Sequence, residues 1–360
     1  MTYRSYLYSL AACVIALACR VPGDSIFRFR STLAPNRTIH EASTERVLVE
    51  EVYFRGWYGA VRISNSVCEV VIVPQISRVM SFSLRGGENV LWINPALEGK
   101  VAPRDDGRWH NFGGDKVWPA MQSLWGWPPP YHFDSGMNSV EWIPGGVRLR
   151  TPESLRFGAY LEREFVLDSD AALLRVNQWL VRTRPAPMRL TVWNVTQTDD
   201  PDYTLLPRGS DEAFQTLSGK AAAPFVTIHE SIVCVRRHRQ DGLKIGALAA
   251  SKDDSWIAAV KGRTMLLESH AVISDADYPD GGCHAEIFTS PDSLGPYVEI
   301  ELLSPMSDVQ VGEYLSSPQV WQLLELSEEE ARDPERAGAA ARAAHERVMG
   351  EDRTLGIVAE

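Results

Sequence analysis

The feature that most constrains this chain is a long succession of short apolar runs, cut at brief intervals by Gly, Pro, Asn and Asp. No long amphipathic helix interrupts it between Arg46 and Glu325. Runs occur at Ala60–Ile63, Cys68–Val73, Arg78–Leu84, Val147–Thr151, Leu173–Val181, Arg189–Val195, Phe225–Ile228, Lys244–Ala249, Trp256–Val260, Thr264–Glu268, Ala285–Thr289 and Tyr297–Leu303. Several alternate apolar and polar residues, the period of two expected of half-buried strands. Pro144-Gly145-Gly146 and Lys261-Gly262 fall between runs, where hairpin turns belong. Such a pattern predicts an all-β antiparallel sandwich or barrel, and the lack of a fixed-period repeat argues against a propeller. Residues 46–325 are expected to form this domain. The end of the chain reads differently. Ser327 with Glu330 makes a capping-box pattern, and Pro334 after Asp333 suits the first turn of a second helix. Residues 326–360 are therefore expected to be a helical tail.

The N-terminus has the layout of an export signal. Arg4 is followed by an uncharged, mostly apolar stretch from Ser5 to Ala18, too short to cross a bilayer, which needs about 20 residues. It closes on Ile15-Ala16-Leu17-Ala18-Cys19, small residues before a cysteine. This predicts a lipoprotein-type signal over 1–19, a lipid on Cys19, a polar tether over 20–45 and a membrane-anchored place in the cell envelope. Cys13 is the competing processing site. Cys68, Cys234 and Cys283 would remain; they sit in apolar, strand-like sequence and read as buried free thiols. No Cys/His spacing suits a metal, and the acidic loop with Asp275, Asp277 and Asp280 lacks the full calcium-loop pattern, so no cofactor or metal is expected. With a net charge of −11 and no basic runs interleaved with aromatics, nucleic acid is not an expected partner.

Chemistry-bearing residues concentrate in two places. The first is Trp109 to Trp142, which holds five of the eleven tryptophans: Trp109, Trp118, Trp125, Trp127 and Trp142. Asn111, Asp115, Lys116 and Gln122 are interleaved with them. Sugars present apolar C–H faces and polar hydroxyl rims, and indole planes beside amides and charges match both. Core packing of the same tryptophans is the competing reading. Asp115-Lys116 follows Gly113-Gly114 and reads as an acid beside a cationic anchor on a loop. The second place is Glu299-Ile300-Glu301, where strand alternation sends both carboxylates to one face. Like charges at that spacing raise each other's pKa, as a general base needs.

Two strings are specific: Trp109-His110-Asn111-Phe112-Gly113-Gly114-Asp115-Lys116-Val117-Trp118-Pro119-Ala120-Met121-Gln122, and Tyr278-Pro279-Asp280-Gly281-Gly282-Cys283. With Gly86-Gly87-Glu88-Asn89-Val90-Leu91-Trp92 and Trp193-Asn194-Val195-Thr196-Gln197, they resemble a bacterial family, domain of unknown function 4380, over roughly Val47 to Leu323. The resemblance implies a galactose-mutarotase-like antiparallel β-supersandwich. Proteins of that fold include sugar mutarotases and epimerases, which open and close a pyranose ring with a carboxylate base and histidine acids. It implies Glu299 as base and places Trp193, Gln197, Tyr278, Asp280 and Glu301 among candidate sugar contacts, beside Asn111, Asp115, Trp118, Gln122, Trp125 and Trp127. The usual histidines are missing: Phe112 precedes Gly113-Gly114, and Trp193-Asn194 occupies the central-strand position. Lys116 becomes the candidate acid, with His110 behind it; His132 and His284 could serve only if the fold brings them to the same cleft.

Two functions fit these residues. One is an exported carbohydrate-binding protein or carbohydrate-active enzyme, of epimerase or mutarotase type. The other is an envelope lipoprotein with a structural or protein-interaction role and no catalysis. The first expects Trp118, Trp125, Asp115 and Glu299 to converge in one cleft, and Glu299 on the opposite sheet face from Asp115 would contradict this first reading. Tryptophans buried in core would favour the second.

Overall fold

The computed structural model describes residues 38–354 apart from 105, 120–121, 209–213 and 249–254. The export signal, Cys19 and the tether up to residue 37 lie outside the described residues. The strands are β1 (Thr38–Ile39), β2 (Leu48–Phe54), β3 (Trp57–Ser64), β4 (Cys68–Val73), β5 (Arg78–Leu84), β6 (Asp115–Pro119), β7 (Ser139–Ile143), β8 (Gly146–Arg150), β9 (Ala159–Leu167), β10 (Leu173–Arg182) and β11 (Val192–Asp199). They continue as β12 (Tyr203–Pro207), β13 (Phe214–Ser218), β14 (Val226–Ile228), β15 (Ile232–Val235), β16 (Leu243–Leu248), β17 (Trp256–Lys261), β18 (Thr264–His270), β19 (Cys283–Thr289), β20 (Tyr297–Leu303), β21 (Tyr314–Ser316) and β22 (Gln319–Glu325). Short helices α1 (Gln122–Trp125), α2 (Tyr131–Asp134) and α3 (Pro279–Gly282) interrupt them, and α4 (Glu328–Arg332) and α5 (Pro334–Thr354) follow.

These strands make two sheets. The first runs β1-β2-β3-β4-β5-β6-β11-β20-β19-β16-β13, the second β14-β15-β12-β17-β18-β22-β10-β9-β8-β7, with β21 beside β10. The strand pairs are antiparallel, as the alternating runs require. Val49, Phe82, Ile245 and Ile300 from the first sheet meet Phe165, Leu174, Ile257 and Trp321 from the second in one apolar core. The far side of the second sheet is covered by α5, whose Ala337, Ala341 and Ala344 pack on Tyr203, Trp256 and Leu267. The capping box is formed: Ser327 Oγ accepts from the Glu330 amide and Glu330 Oε2 accepts from the Ser327 amide. Cys68, Cys234 and Cys283 are buried free thiols.

The segment after Gly113-Gly114 corrects the expectation of a loop. Both glycines have positive φ, and a Cβ would lie 2.1 Å from the Trp92 carbonyl oxygen at Gly113 and 2.3 Å from that of Val79 at Gly114. Only glycine admits this approach, and it docks Asp115–Pro119 between β5 and β11 as a central strand. Alternation then turns Asp115 and Lys116 to opposite faces.

Asp115 points between the sheets. Its Oδ2 accepts from Arg163 Nη2 of β9 at 2.6 Å, and its Oδ1 accepts from Asn194 Nδ2 at 2.6 Å and from Thr196 Oγ1 at 3.2 Å. Burial pushes the Asp115 carboxyl up, against the pull of Arg163. Glu268 on β18 is pushed up much further by burial and then by the charge of Asp115. Arg163 is thus the cation for two buried acids and a tie between the sheets. Removing one partner of a buried pair strands the other and typically costs about 3–5 kcal/mol, whereas apolar replacement of both is often close to neutral. Arg163→Met is expected to lose that amount in urea unfolding, and Asp115→Leu/Arg163→Met to regain much of it. A loss below about 1 kcal/mol in the single variant would contradict this role.

Candidate ligand site on the outer face of the first sheet

The registers of β6, β11, β20 and β19 decide which side chains meet. Val195 opposes Lys116 and Glu301, Gln197 opposes Glu299, Trp193 opposes Trp118, and Glu286 opposes Glu301. Directly opposed residues share a face. Since Ile300 and Leu302 of β20 lie in the core, Lys116, Trp118, Trp193, Gln197, Glu286, Glu299 and Glu301 line the outer face.

Two linked polar clusters form there. In one, Lys116 Nζ and Gln197 Nε2 both donate to Glu299 Oε1, at 3.1 and 3.0 Å. Lys116 is fully buried and Glu299 nearly so, and the ammonium sits 5.0 Å from the centre of the Trp118 ring. Burial pulls the pKa of Lys116 down, opposed by the charge of Glu299. The phenol of Tyr297, pushed up by burial, interacts with Asn111 and Gln197 at the edge of this cluster. In the other, Lys244 Nζ lies 2.5 Å from Glu286 Oε2 and 3.0 Å from Glu301 Oε2, and Trp193 Nε1 donates to Glu301 Oε2 at 2.6 Å. Burial raises the carboxyl pKa of both Glu286 and Glu301; it would lower that of Lys244, but the two carboxylates outweigh it and the net shift is upward. A third buried pair closes one side. Arg78 Nη2 donates to Asp134 Oδ1 at 3.0 Å, and the same oxygen accepts from Trp118 Nε1 at 2.9 Å.

The expected convergence of four residues fails at Asp115, the outcome that counts against the carbohydrate reading as it was framed from sequence. Glu299 and Trp118 share the outer face, while Asp115 is on the inner one, engaged by Arg163. Asp115 is therefore engaged between the sheets, away from Glu299 and Lys116. The tryptophans also divide. Trp118, Trp125 and Trp193 are buried against one another, with ring centres 5.1 to 6.5 Å apart, in an apolar cluster that includes Phe133 and Leu303. Trp127 is exposed and meets Trp109 edge-on at 5.0 Å. His110 is held by Asp106, Nε2 to Oδ2 at 2.7 Å, rather than by Glu299. Gln122 is exposed on α1. Tyr278 is buried, its hydroxyl accepting from the Ile273 amide. Asp280 is exposed, and its backbone carbonyl accepts from Gln215. His284 faces His270 across 3.0 Å of buried space, and His132 lies 3.4 Å from Arg104, so neither joins the pair.

Lys244, Glu286, Arg78, Asp134 and Tyr297 were not singled out from sequence. Glu286 had a legible signal: it alternates with Ala285 and Ile287 as Glu299 and Glu301 alternate with Ile300. Asp134 had none, because α2 is a single turn.

No family model matches the chain, and no curated protein matches it in sequence. Solved structures do match. A protein from Klebsiella pneumoniae named "putative aldose 1-epimerase" aligns with a TM-score of 0.56 at 10% identity, covering 86% of this chain and 88% of that one. One so named from Escherichia coli K12 aligns with a TM-score of 0.50 at 11% identity, covering 74% and 98%. The chain has a galactose-mutarotase-like fold. At this identity the likeness speaks for architecture alone.

Proposed function

We propose that the protein is an exported carbohydrate-binding protein whose site is the outer face of the first sheet, with a Glu299–Lys116 pair able to interconvert anomers. The observation that carries this reading is the buried ion pair itself: a carboxylate and an ammonium whose pKa burial lowers, hydrogen-bonded on one face beside Gln197 and Trp118. A sugar hydroxyl inserting between them meets a base and an acid at once. Glu299 takes the O1 proton, the C1–O5 bond breaks as C1=O forms, and Lys116 gives its proton to O5. Rotation about C1–C2 and reclosure return both protons. Burial favours the step at Lys116, since a desolvated ammonium gives up its proton more readily. The strings Asn111–Gln122 and Tyr278–Cys283 support kinship with domain of unknown function 4380, and the fold supports a sugar as ligand.

The burial of Trp118, Trp125 and Trp193 favours the second reading, an envelope lipoprotein with a structural or protein-interaction role. Anomer exchange followed by polarimetry or NMR across hexoses and uronates separates the two. Glu299→Gln is expected to slow exchange by about 10²–10⁴ with sugar binding retained. Wild-type rates equal to buffer, with a sugar still bound, would leave a binder without catalysis; no binding at all would favour the second reading. Placement in the envelope rests on the signal ending at Cys19. Fatty-acid labelling is expected to mark the wild-type chain and spare Cys19→Ala, and label lost only in Cys13→Ala would move the processing site.

A further inference from the structure

Among the described residues, the charges in the two linked clusters of the outer face do not balance. Glu286, Glu299 and Glu301 confront two ammoniums, Lys116 and Lys244, and the neighbouring Arg78–Asp134 pair is neutral in sum. Lys116 is committed to Glu299. Lys244 must therefore serve both Glu286 and Glu301, which oppose each other across β19 and β20. Glu301 has a further donor in Trp193, whereas Glu286 is fully buried and its Oε1 has no hydrogen-bond partner. The carboxylate of Asp280, in α3 just before β19, adds to the negative field on Glu286. An uncompensated buried carboxylate is costly, and a site meets that cost by keeping a proton or by taking up a cation. Burial raises the pKa of both carboxyls, against the pull of Lys244, which favours a proton shared on this pair when no ligand cation is present.

We infer that the site selects sugars carrying a protonated amine, which would donate to Glu286 Oε1 and supply the missing positive charge. This rests on the sugar-binding reading above and names the class of sugar within it. Neutral hexoses offer a hydroxyl where the amine would sit and bring no charge to replace that proton. Uronates and sugar phosphates add another negative charge to a face that already has one too many. Among the described residues no group of three or more ligating side chains is arranged to hold a metal ion, so the cation that fits is a ligand's ammonium.

Isothermal calorimetry with galactosamine, glucosamine, their N-acetyl forms, galactose, glucose, glucuronate and glucose 6-phosphate tests this. One of the free amines should bind about 10–100-fold more tightly than its N-acetylated and parent sugars, the gain of a charge-assisted hydrogen bond. Binding of the amine should also release a proton, seen as a heat that changes with the ionisation enthalpy of the buffer, while neutral sugars release none. Glu286→Gln should bring amine and parent sugar to equal affinity. If that variant fails to fold, proton release by the wild-type chain decides alone. Equal or weaker binding of the amines, or no proton release, overturns the inference while leaving a sugar site in place. Failure of every sugar to bind overturns the sugar-binding reading itself, and this inference with it.

Discussion

Strand alternation at Asp115–Pro119 is the constraint on which the rest of the molecule depends. Two glycines that no larger residue could replace without striking the Trp92 and Val79 carbonyls seat this strand in the middle of the first sheet. Its first residue then faces inward and ties the sheets together through Arg163, while its second faces outward and pairs with Glu299. One buried ion pair belongs to the fold and the other to the candidate site, and a single peptide bond separates them. A slip of one residue would exchange them, placing Lys116 opposite Arg163 and Asp115 beside Glu299. Both clusters would then carry unpaired like charges, so the register is held from both sides.

Much of the fold was legible because period-two alternation is a local property. Runs such as Cys68–Val73, Arg78–Leu84 and Tyr297–Leu303 coincide with strands residue for residue. Glu299 and Glu301 share a face, as their spacing requires, and the capping box at Ser327 formed as its letters imply. The site was less legible for two reasons. Gly113-Gly114 and Pro119 look like loop punctuation, so the local signal at Asp115–Pro119 is that of a loop whose two charges could face one ligand. Tertiary docking overrode that local signal, because glycine serves a close approach as well as it serves a turn. The second reason is distance along the chain. Lys244 lies 57 residues from Glu301 and Asp134 lies 56 from Arg78, and nothing local links them.

The tryptophans carry the same lesson. Their spacing and polar neighbours suggested a sugar-stacking surface, yet Trp118 and Trp193 meet edge-on, lie under the ammoniums of Lys116 and Lys244, and use their indole N–H groups on Asp134 and Glu301. They hold the carboxylates in place, and they leave the exposed Trp127, with Trp109 beside it, as the aromatic rim. With no histidine beside the Lys116–Glu299 pair, the proposed mechanism gives the acid role to a buried ammonium. Its readiness to give up a proton comes from desolvation, whereas imidazole would bring a suitable pKa of its own.

The central claim is that the outer face of β6, β11 and β20 receives the ligand while the inner face only holds the sheets together. Carbon-13 NMR of the Asp and Glu carboxyl groups during a sugar titration tests it most directly. Saturating ligand should move the Glu299 resonance, and Glu286 or Glu301 with it, and leave that of Asp115 where it was. A bound sugar that shifts Asp115 and leaves Glu299 untouched, or that shifts neither, would contradict the account.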